Sequence, residues 1–354
     1  MQPDDHHPVD DDAVPTARST DRRGVTRRVL MFGGIGVVGV GAAAYAVHRL
    51  TPRDLVPEGA GGSPRPIAPP PVPSTGATSP AAQTPDTDVT LAIWAHADDD
   101  IIFSNPGLAD AIAAGSTVRT VFVSAGDGGR GFDYALQREQ GALRGYDRMR
   151  GKDTPWTQTQ VTLLTGARIT RYTPADDPQI SITMMRLPDG GLDAKGFTAT
   201  GNAGLSQLLN GQIAALAPLD GSPAYDLPRL TASIAELIRA ARPARISTNI
   251  PRESAWARGD HPDHSCIGSL VRVCAPTAGV DASAVSYFLG YPSAKQPVNV
   301  EGQVLDDKVE VYRVYSEDDP VVRCADASAC LAQRGFGDWL RRSYAKGEGQ
   351  LRLS

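Results

Sequence analysis

Val89-Thr90-Leu91-Ala92-Ile93-Trp94-Ala95-His96-Ala97-Asp98-Asp99-Asp100 runs from a short apolar stretch straight into one histidine and three aspartates. An apolar run bounded this way reads as a buried strand whose carboxyl end carries polar groups. Residues 117–123 (TVRTVFV) form a second such run and residues 244–249 (ARISTN) a third. Between them, residues 108–114 and 134–149 read as helices. Residues 230–241 carry helical periodicity through Ile234, Leu237 and Ile238. A more irregular stretch holds one further strand at 181–187. Strand–helix alternation of this kind predicts an α/β fold with a mainly parallel sheet covered by helices. Open α/β sheets bind ligands beyond the carboxyl ends of their strands. The 96–100 cluster falls at such a place. So does a second cluster, Asp260-His261-Pro262-Asp263-His264, which follows the third apolar run.

The two clusters suit one divalent metal. Zinc accepts imidazole and carboxylate ligands. His96 and Asp99 can face one ion from a loop, leaving Asp98 to hold the water, and His264 completes a two-His, one-carboxylate set. His261 lies within reach of the same pocket, with Asp263 placed to fix its tautomer or raise its pKa. Read without chemistry, 96–100 is a solvated acidic turn and 260–264 is a helix start with Pro262 at the first position. The second of these is compatible with ligation, because the first turn of such a helix would present His264.

The pair Ala-His-x-Asp-Asp after the first strand and His-x-Asp-His far downstream resembles the PIG-L/LmbE-type zinc-dependent N-deacetylases, over residues 89–354. The resemblance implies a Rossmann-like fold and one zinc per chain. It implies removal of an N-acyl group, in the main N-acetyl, from an amino-sugar or glycoconjugate substrate. Position by position, it implies His96, Asp99 and His264 as metal ligands and Asp98 as general base. His261 becomes the group that stabilises or protonates the tetrahedral intermediate, with Asp263 beside it. The proline usual in the first motif is Ala97 here, and the frequent glutamate after the aspartates is Asp100; neither position is a ligand. A tyrosine that can precede the second motif is not evident in Arg258-Gly259-Asp260.

Two further substrate contacts are candidates. Gly126-Asp127-Gly128-Gly129-Arg130-Gly131 formally matches G-x-G-x-x-G, but it follows the second strand and carries charges, so it is weak as a dinucleotide fingerprint. It reads better as a flexible loop over the site mouth, with Arg130 as its substrate contact. Trp256, near the second cluster, is the best-placed tryptophan for a sugar. Arg138 and Glu139 open no clear role; a core partner is the expectation for Glu139. Two other functions compete. His96-x-Asp98 with a distant His264 also spells the facial triad of non-haem Fe(II) oxygenases, although strand–helix alternation argues against their all-β barrel. A non-catalytic carbohydrate-binding protein on the same fold would require the ligands to have decayed, and they are intact.

The rest of the chain speaks to location. The net charge is -5, and no long Lys/Arg block lies beyond the first thirty residues, so a nucleic-acid partner is not expected. Residues 1–28 read as a polar cytoplasmic tail closing on Arg22, Arg23, Arg27 and Arg28. Residues 29–50 read as a signal or transmembrane segment, uncharged from 29 to 47, just sufficient against the roughly 20 apolar residues that span a bilayer. Positive charge on its N-terminal side favours export of the chain downstream. Thr26-Arg27-Arg28-Val29-Leu30-Met31 looks like a twin-arginine export signal, and Ala44-Tyr45-Ala46 like a cleavage site. A single-pass anchor with an extracytoplasmic enzyme and a secreted protein both stay open. Residues 51–88, rich in Pro, Ser and Thr, read as a spacer, and residues 89–354 as the deacetylase-like domain. In an exported protein Cys324 and Cys330 read as a local disulfide. Cys266 and Cys274, about 12 Å apart if they share a helix, read as buried apolar residues.

Overall fold

The structure, a computed structural model, describes residues 88–353; the tail, the apolar segment and nearly all of the spacer lie outside them. No helix among the described residues is long and apolar enough to cross a membrane. The strands are β1 (Val89–Trp94), β2 (Thr117–Ser124), β3 (Trp156–Thr162), β4 (Arg168–Pro174), β5 (Ile180–Leu187), β6 (Arg245–Asn249), β7 (Val285–Phe288) and β8 (Ala345–Lys346). They form one sheet in the order β3-β4-β5-β2-β1-β6-β7-β8. The centre, β5-β2-β1-β6-β7, is parallel. β3 and β4 extend one side antiparallel, and β8 closes the other.

The sheet is therefore mixed, with a parallel centre, where sequence alone suggests a mainly parallel one. The hairpin escapes a periodicity reading for a physical reason. β3 is an edge strand whose four residues Thr157, Gln158, Thr159 and Gln160 are all exposed, so no buried face imposes alternation on its sequence.

The helices are α1 (Gly107–Ala113), α2 (Phe132–Arg150), α3 (Leu205–Leu209), α4 (Leu227–Ala241), α5 (Pro262–Thr277), α6 (Gly302–Ser316), α7 (Ala327–Ala332) and α8 (Phe336–Leu340). Alternation along β1 sends its side chains to two layers. Leu91 and Ile93 pack into a core with Ile234 and Ile238 of α4 and Ile267 and Leu270 of α5. Ala92 and Trp94 pack into the other with Tyr146 of α2 and Val309 and Tyr312 of α6. Each fully buried aliphatic of this kind contributes about 1.5–3 kcal/mol, so β1 is held on both faces and its end is a rigid platform. Cys324 and Cys330 form a disulfide with Cα atoms 5.1 Å apart. Cys266 and Cys274 are free and buried.

Glu139 is a structural partner. Its carboxylate accepts from Arg186 Nε at 2.7 Å and Nη2 at 2.8 Å, and from Tyr172 Oη at 3.0 Å. This ties α2 to β4 and β5 with both charges buried. Glu139→Gln leaves a buried guanidinium short of its carboxylate. The expected cost is about 3–5 kcal/mol, read as a lowered urea midpoint at unchanged slope. A loss below about 1 kcal/mol would show that Asp220, 3.2 Å from Arg186 Nη1, suffices alone.

Candidate metal centre

β1 lies between β2 and β6, where the sheet's winding direction reverses, so the segments leaving β1 and β6 open on one crevice. Their ends are tied: Ala95 N donates to Asn249 Oδ1 at 3.1 Å. After β1 the chain turns tightly, with His96 N donating to Asp99 Oδ2 at 2.9 Å. After β6 it reaches α5 with His261 as N-cap and Pro262 in the first turn, as the position of the proline anticipates. His264 thus projects from the first turn of α5 toward the end of β1.

Three donor side chains meet there. His264 Nε2 is 3.0 Å from Asp99 Oδ1 and 3.3 Å from His96 Nδ1. His96 Nδ1 is 3.6 Å from Asp99 Oδ2. Ligands of a tetrahedral zinc with bonds of about 2.0–2.1 Å are separated by about 3.3 Å; the two imidazole nitrogens stand at that separation, with one Asp99 oxygen beside each of them. Each imidazole is backed by a carboxylate. Asp260 Oδ1 is 2.9 Å from His264 Nδ1 and also accepts from His261 N and Tyr291 N. Asp263 Oδ2 is 3.5 Å from His96 Nε2, an atom with no hydrogen bond of its own. Carboxylates behind metal-binding histidines fix the ring and raise its basicity.

The electrostatics agree. Burial opposes charge on His96, yet Asp99, then Asp263, outweigh it and hold the imidazolium well above its ordinary range. Burial likewise opposes charge on His264, but Asp99 and Asp260 raise it to about 10. Burial pushes the Asp99 carboxyl up, yet His264 and His96 bring it well below the usual range. A field that stabilises two protons at one spot also stabilises a cation there, in exchange for those protons. Two further groupings converge within 4.8 Å, His96 with His261 and His264, and His96 with Asp189, His261 and Asp263; the second brings two more carboxylates. Its carboxylates accept backbone N–H groups from Gly128, Gly190 and Gly191, as Asp99 accepts from His96 N; the triangle is the closer set, with His264 Nε2 at 3.0 and 3.3 Å from its neighbours against 3.5 Å for His96–Asp263 and 3.6 Å for His261–Asp189.

Asp98 lines the same cavity but takes a different partner. Arg138 of α2 reaches it through Nη2 at 2.5 Å and donates from Nη1 to Gly126 O at 2.6 Å. Nε of Arg138 donates to Tyr315 Oη at 2.8 Å and lies 3.3 Å from Asp319 Oδ2. Burial raises the Asp98 carboxyl, and Arg138 opposes the rise. Two glycines of the 126–131 run leave room for neighbouring side chains, Arg138 at one and Phe197 at the other. A Cβ on Gly126 would overlap Arg138 Nη1, and one on Gly129 would come within 2.6 Å of the Phe197 ring; both residues have φ in the left-handed region. The loop is pinned by Asp127, which accepts from Asp189 N and Gly129 N.

Residues 91–275, just over half of the chain, match the family model PIG-L, described as GlcNAc-PI de-N-acetylase. The chain belongs to the PIG-L family. No curated protein matches it. Among solved structures it is similar to the conserved protein TT1542 from Thermus thermophilus, at 16% identity over 73% of this chain and 92% of that one, TM-score 0.38. It is also similar to the N,N'-diacetylchitobiose deacetylase from Pyrococcus horikoshii, at 13% identity over 73% and 82%, TM-score 0.41. A deacetylase triple mutant of the teicoplanin biosynthetic pathway aligns at 16% over 65% and 82%, TM-score 0.39.

In this PIG-L chain the site floors a cavity of about 340 Å³ lined by His96, Asp98, Asp99, Arg130, His261 and Tyr291, among others. A cavity of equal volume beside Met149 and Lys308 holds no such cluster. Two expectations change. The Asp263 carboxylate faces His96 and Gly190 N, and it is the Asp263 backbone N–H that meets His261, donating to Nδ1 at 3.1 Å. The carboxylate opposite His261 Nε2, at 3.6 Å, is that of Asp189. Trp256 is not part of the cavity. Its Nε1 donates to Gln350 O, and Lys346 and Arg352 lie over its ring, so it fastens the C-terminal segment. Arg130 does line the cavity, over the Tyr134 ring at 5.5 Å. Sequence reasoning misses Asp260, Asp189, Arg138 and Asp319 as site residues. It also misses Tyr291, in ring contact with His261 and His264. Of these only Asp260 carries a local signal, four residues before His264 on the same turn.

Proposed function

We propose that this PIG-L protein is a zinc-dependent hydrolase that removes an N-acyl group, in the first instance N-acetyl, from an amino-sugar-containing substrate outside the cytoplasm. The observation that carries the reading is the triangle of His96 Nδ1, Asp99 and His264 Nε2, with edges of 3.0–3.6 Å. A divalent cation held there supplies polarisation of the amide carbonyl and acidification of water. Asp98 accepts the proton that water loses on adding to the carbonyl carbon, and Arg138 fixes the carboxylate for that task. Because Asp263 N–H donates to His261 Nδ1, the neutral His261 ring carries its proton on Nε2. Burial, then the neighbouring His96, hold His261 down at about 4. It is therefore a neutral donor to the developing oxyanion. Collapse breaks the C–N bond; the proton held by Asp98 and the one left on the former water oxygen go to the departing nitrogen, giving ammonium and carboxylate with Asp98 ionised again.

Two features support the location: the arginines ahead of the uncharged segment at 29–47 and the Cys324–Cys330 disulfide, since disulfides persist in oxidising compartments. The test uses the full chain with N-acetylglucosamine and N,N'-diacetylchitobiose. Acetate release is expected, lost on chelation, restored by zinc and recovered from the extracytoplasmic side of cells. A zinc-loaded protein that releases no acetate from any N-acetyl amino sugar contradicts the activity. Activity confined to the cytoplasm contradicts the location.

A further inference from the structure

The cluster occupies only the floor of its cavity. The mouth is built differently. Leu192 and Val321 are 74% and 52% exposed, two of the seven large apolar side chains left exposed among the described residues. Both line this cavity, together with Phe197, Val322, Phe336 and Trp339. They come from different parts of the chain: Leu192 and Phe197 follow β5, and Val321 and Val322 lie between α6 and α7. Apolar groups left in water around a site are covered when a ligand binds.

The polar atoms near the mouth are largely engaged already. Tyr134 Oη donates to Asp319 at 2.7 Å, and Tyr315 Oη to the same carboxylate at 3.0 Å. Arg138 is spent on Asp98, Gly126 and Tyr315. Trp339 Nε1 donates to Tyr291 O. Tyr291 and Trp339 stack on each other at 4.2 Å and 5°, so each ring has one face already covered, and Phe336 stands edge-on to Trp339 at 5.0 Å. Arg130 is the one lining residue here whose guanidinium donors remain for a ligand, and they sit at a single point of the rim. A second sugar ring would bring several hydroxyls to a mouth that offers mainly hydrocarbon and ring edges. Unmatched polar groups buried there lose water without replacement. The mouth is also held in shape, because the Phe197 ring fills the space a Cβ of Gly129 would take and lies 3.3 Å from that of Gly191.

We propose that the substrate of this site carries an apolar group, alkyl or aryl, next to the N-acyl amine. This group seats between Leu192 and Phe197 on one side and Val321, Val322 and Trp339 on the other. The inference rests on the N-deacylase reading and specifies its substrate class. The same apolar chemistry can come from the aglycone at the anomeric carbon or from a longer acyl chain, and the two are separated by experiment.

The full chain, zinc-loaded, is assayed with methyl, butyl, hexyl and phenyl β-glycosides of N-acetylglucosamine, and with glucosamine N-acylated by acetyl, butanoyl and hexanoyl groups. One of the two series is expected to gain at least about 10-fold in kcat/KM along its length, as a filled apolar pocket discriminates. N,N'-diacetylchitobiose is expected to fall below its best member, and Leu192→Ser and Val321→Ser to flatten that series. Which series rises identifies the source of the apolar group. Two flat or falling series, or a rising one indifferent to both substitutions, overturn the inference. Calorimetric binding of the same compounds to Asp98→Asn keeps it separable from the reading beneath it. Binding that tightens with chain length without any hydrolysis by the wild type overturns the deacylase reading and sustains the apolar mouth. Hydrolysis with no length dependence does the reverse.

Discussion

Asp98→Asn is expected to keep about one zinc per chain and to lose turnover by roughly 10²–10⁴-fold, the usual worth of a general base. The geometry separates this residue from its neighbour. The Asp99 carboxylate is engaged by both imidazoles of the triangle, whereas Asp98 is turned to Arg138 at 2.5 Å. An amide at position 98 keeps the size and one acceptor for Arg138 but cannot take a proton from water. Asp99→Asn is expected to behave in the opposite way, weakening zinc affinity and recovering part of the activity in excess zinc. Metal content by atomic absorption, set beside acetate release, decides between them. If Asp98→Asn loses the metal while Asp99→Asn keeps it and is inactive, the two roles are exchanged.

His264→Ala is expected to abolish most of the bound zinc, and with it the activity. His264 is fully buried, and its Nε2 is the corner of the triangle closest to both other donors. Asp260 does not replace the lost donor, because it points at the opposite edge of the same ring. The effect should exceed that of Asp260→Asn, which removes only the supporting carboxylate and is expected to weaken binding by about 10–100-fold. Stoichiometric zinc of unchanged affinity in His264→Ala means that the ligands have been misassigned.

How much is legible in the sequence depends on whether a constraint is local. β1 and β2 are buried on both faces, so their apolar runs announce them. The two motifs announce themselves because His96, Asp98 and Asp99 share one turn, and His261, Asp263 and His264 share one helix start. The groups behind them are different. Arg138 meets Asp98 across 40 positions, and Asp189 meets His261 across the sheet. Asp319 and Tyr291 come from a C-terminal stretch whose sequence signals little beyond its cysteine pair. Asp189 reaches His261 because the strand order brings β5, β2, β1 and β6 together, whereas Tyr291 and Asp319 arrive from beyond β7 and α6. Trp256 shows the complementary error. Proximity in sequence to His261 says little about proximity in space when the intervening chain turns away toward Gln350. Asp263 is subtler. The expectation of an Asp–His pair holds in kind, but the carboxylate backs His96, far away in sequence, instead of the histidine two positions before it.

The most direct measurement is X-ray absorption at the zinc edge on the metal-loaded full chain and on His264→Ala. The account requires two imidazole nitrogens and carboxylate oxygen at about 2.0–2.1 Å in the wild type, with the imidazole scattering lost in proportion in any zinc the variant retains. An unchanged spectrum in His264→Ala, or a sulfur ligand at about 2.3 Å from a cysteine such as the buried, free Cys266, would place the metal elsewhere and contradict it.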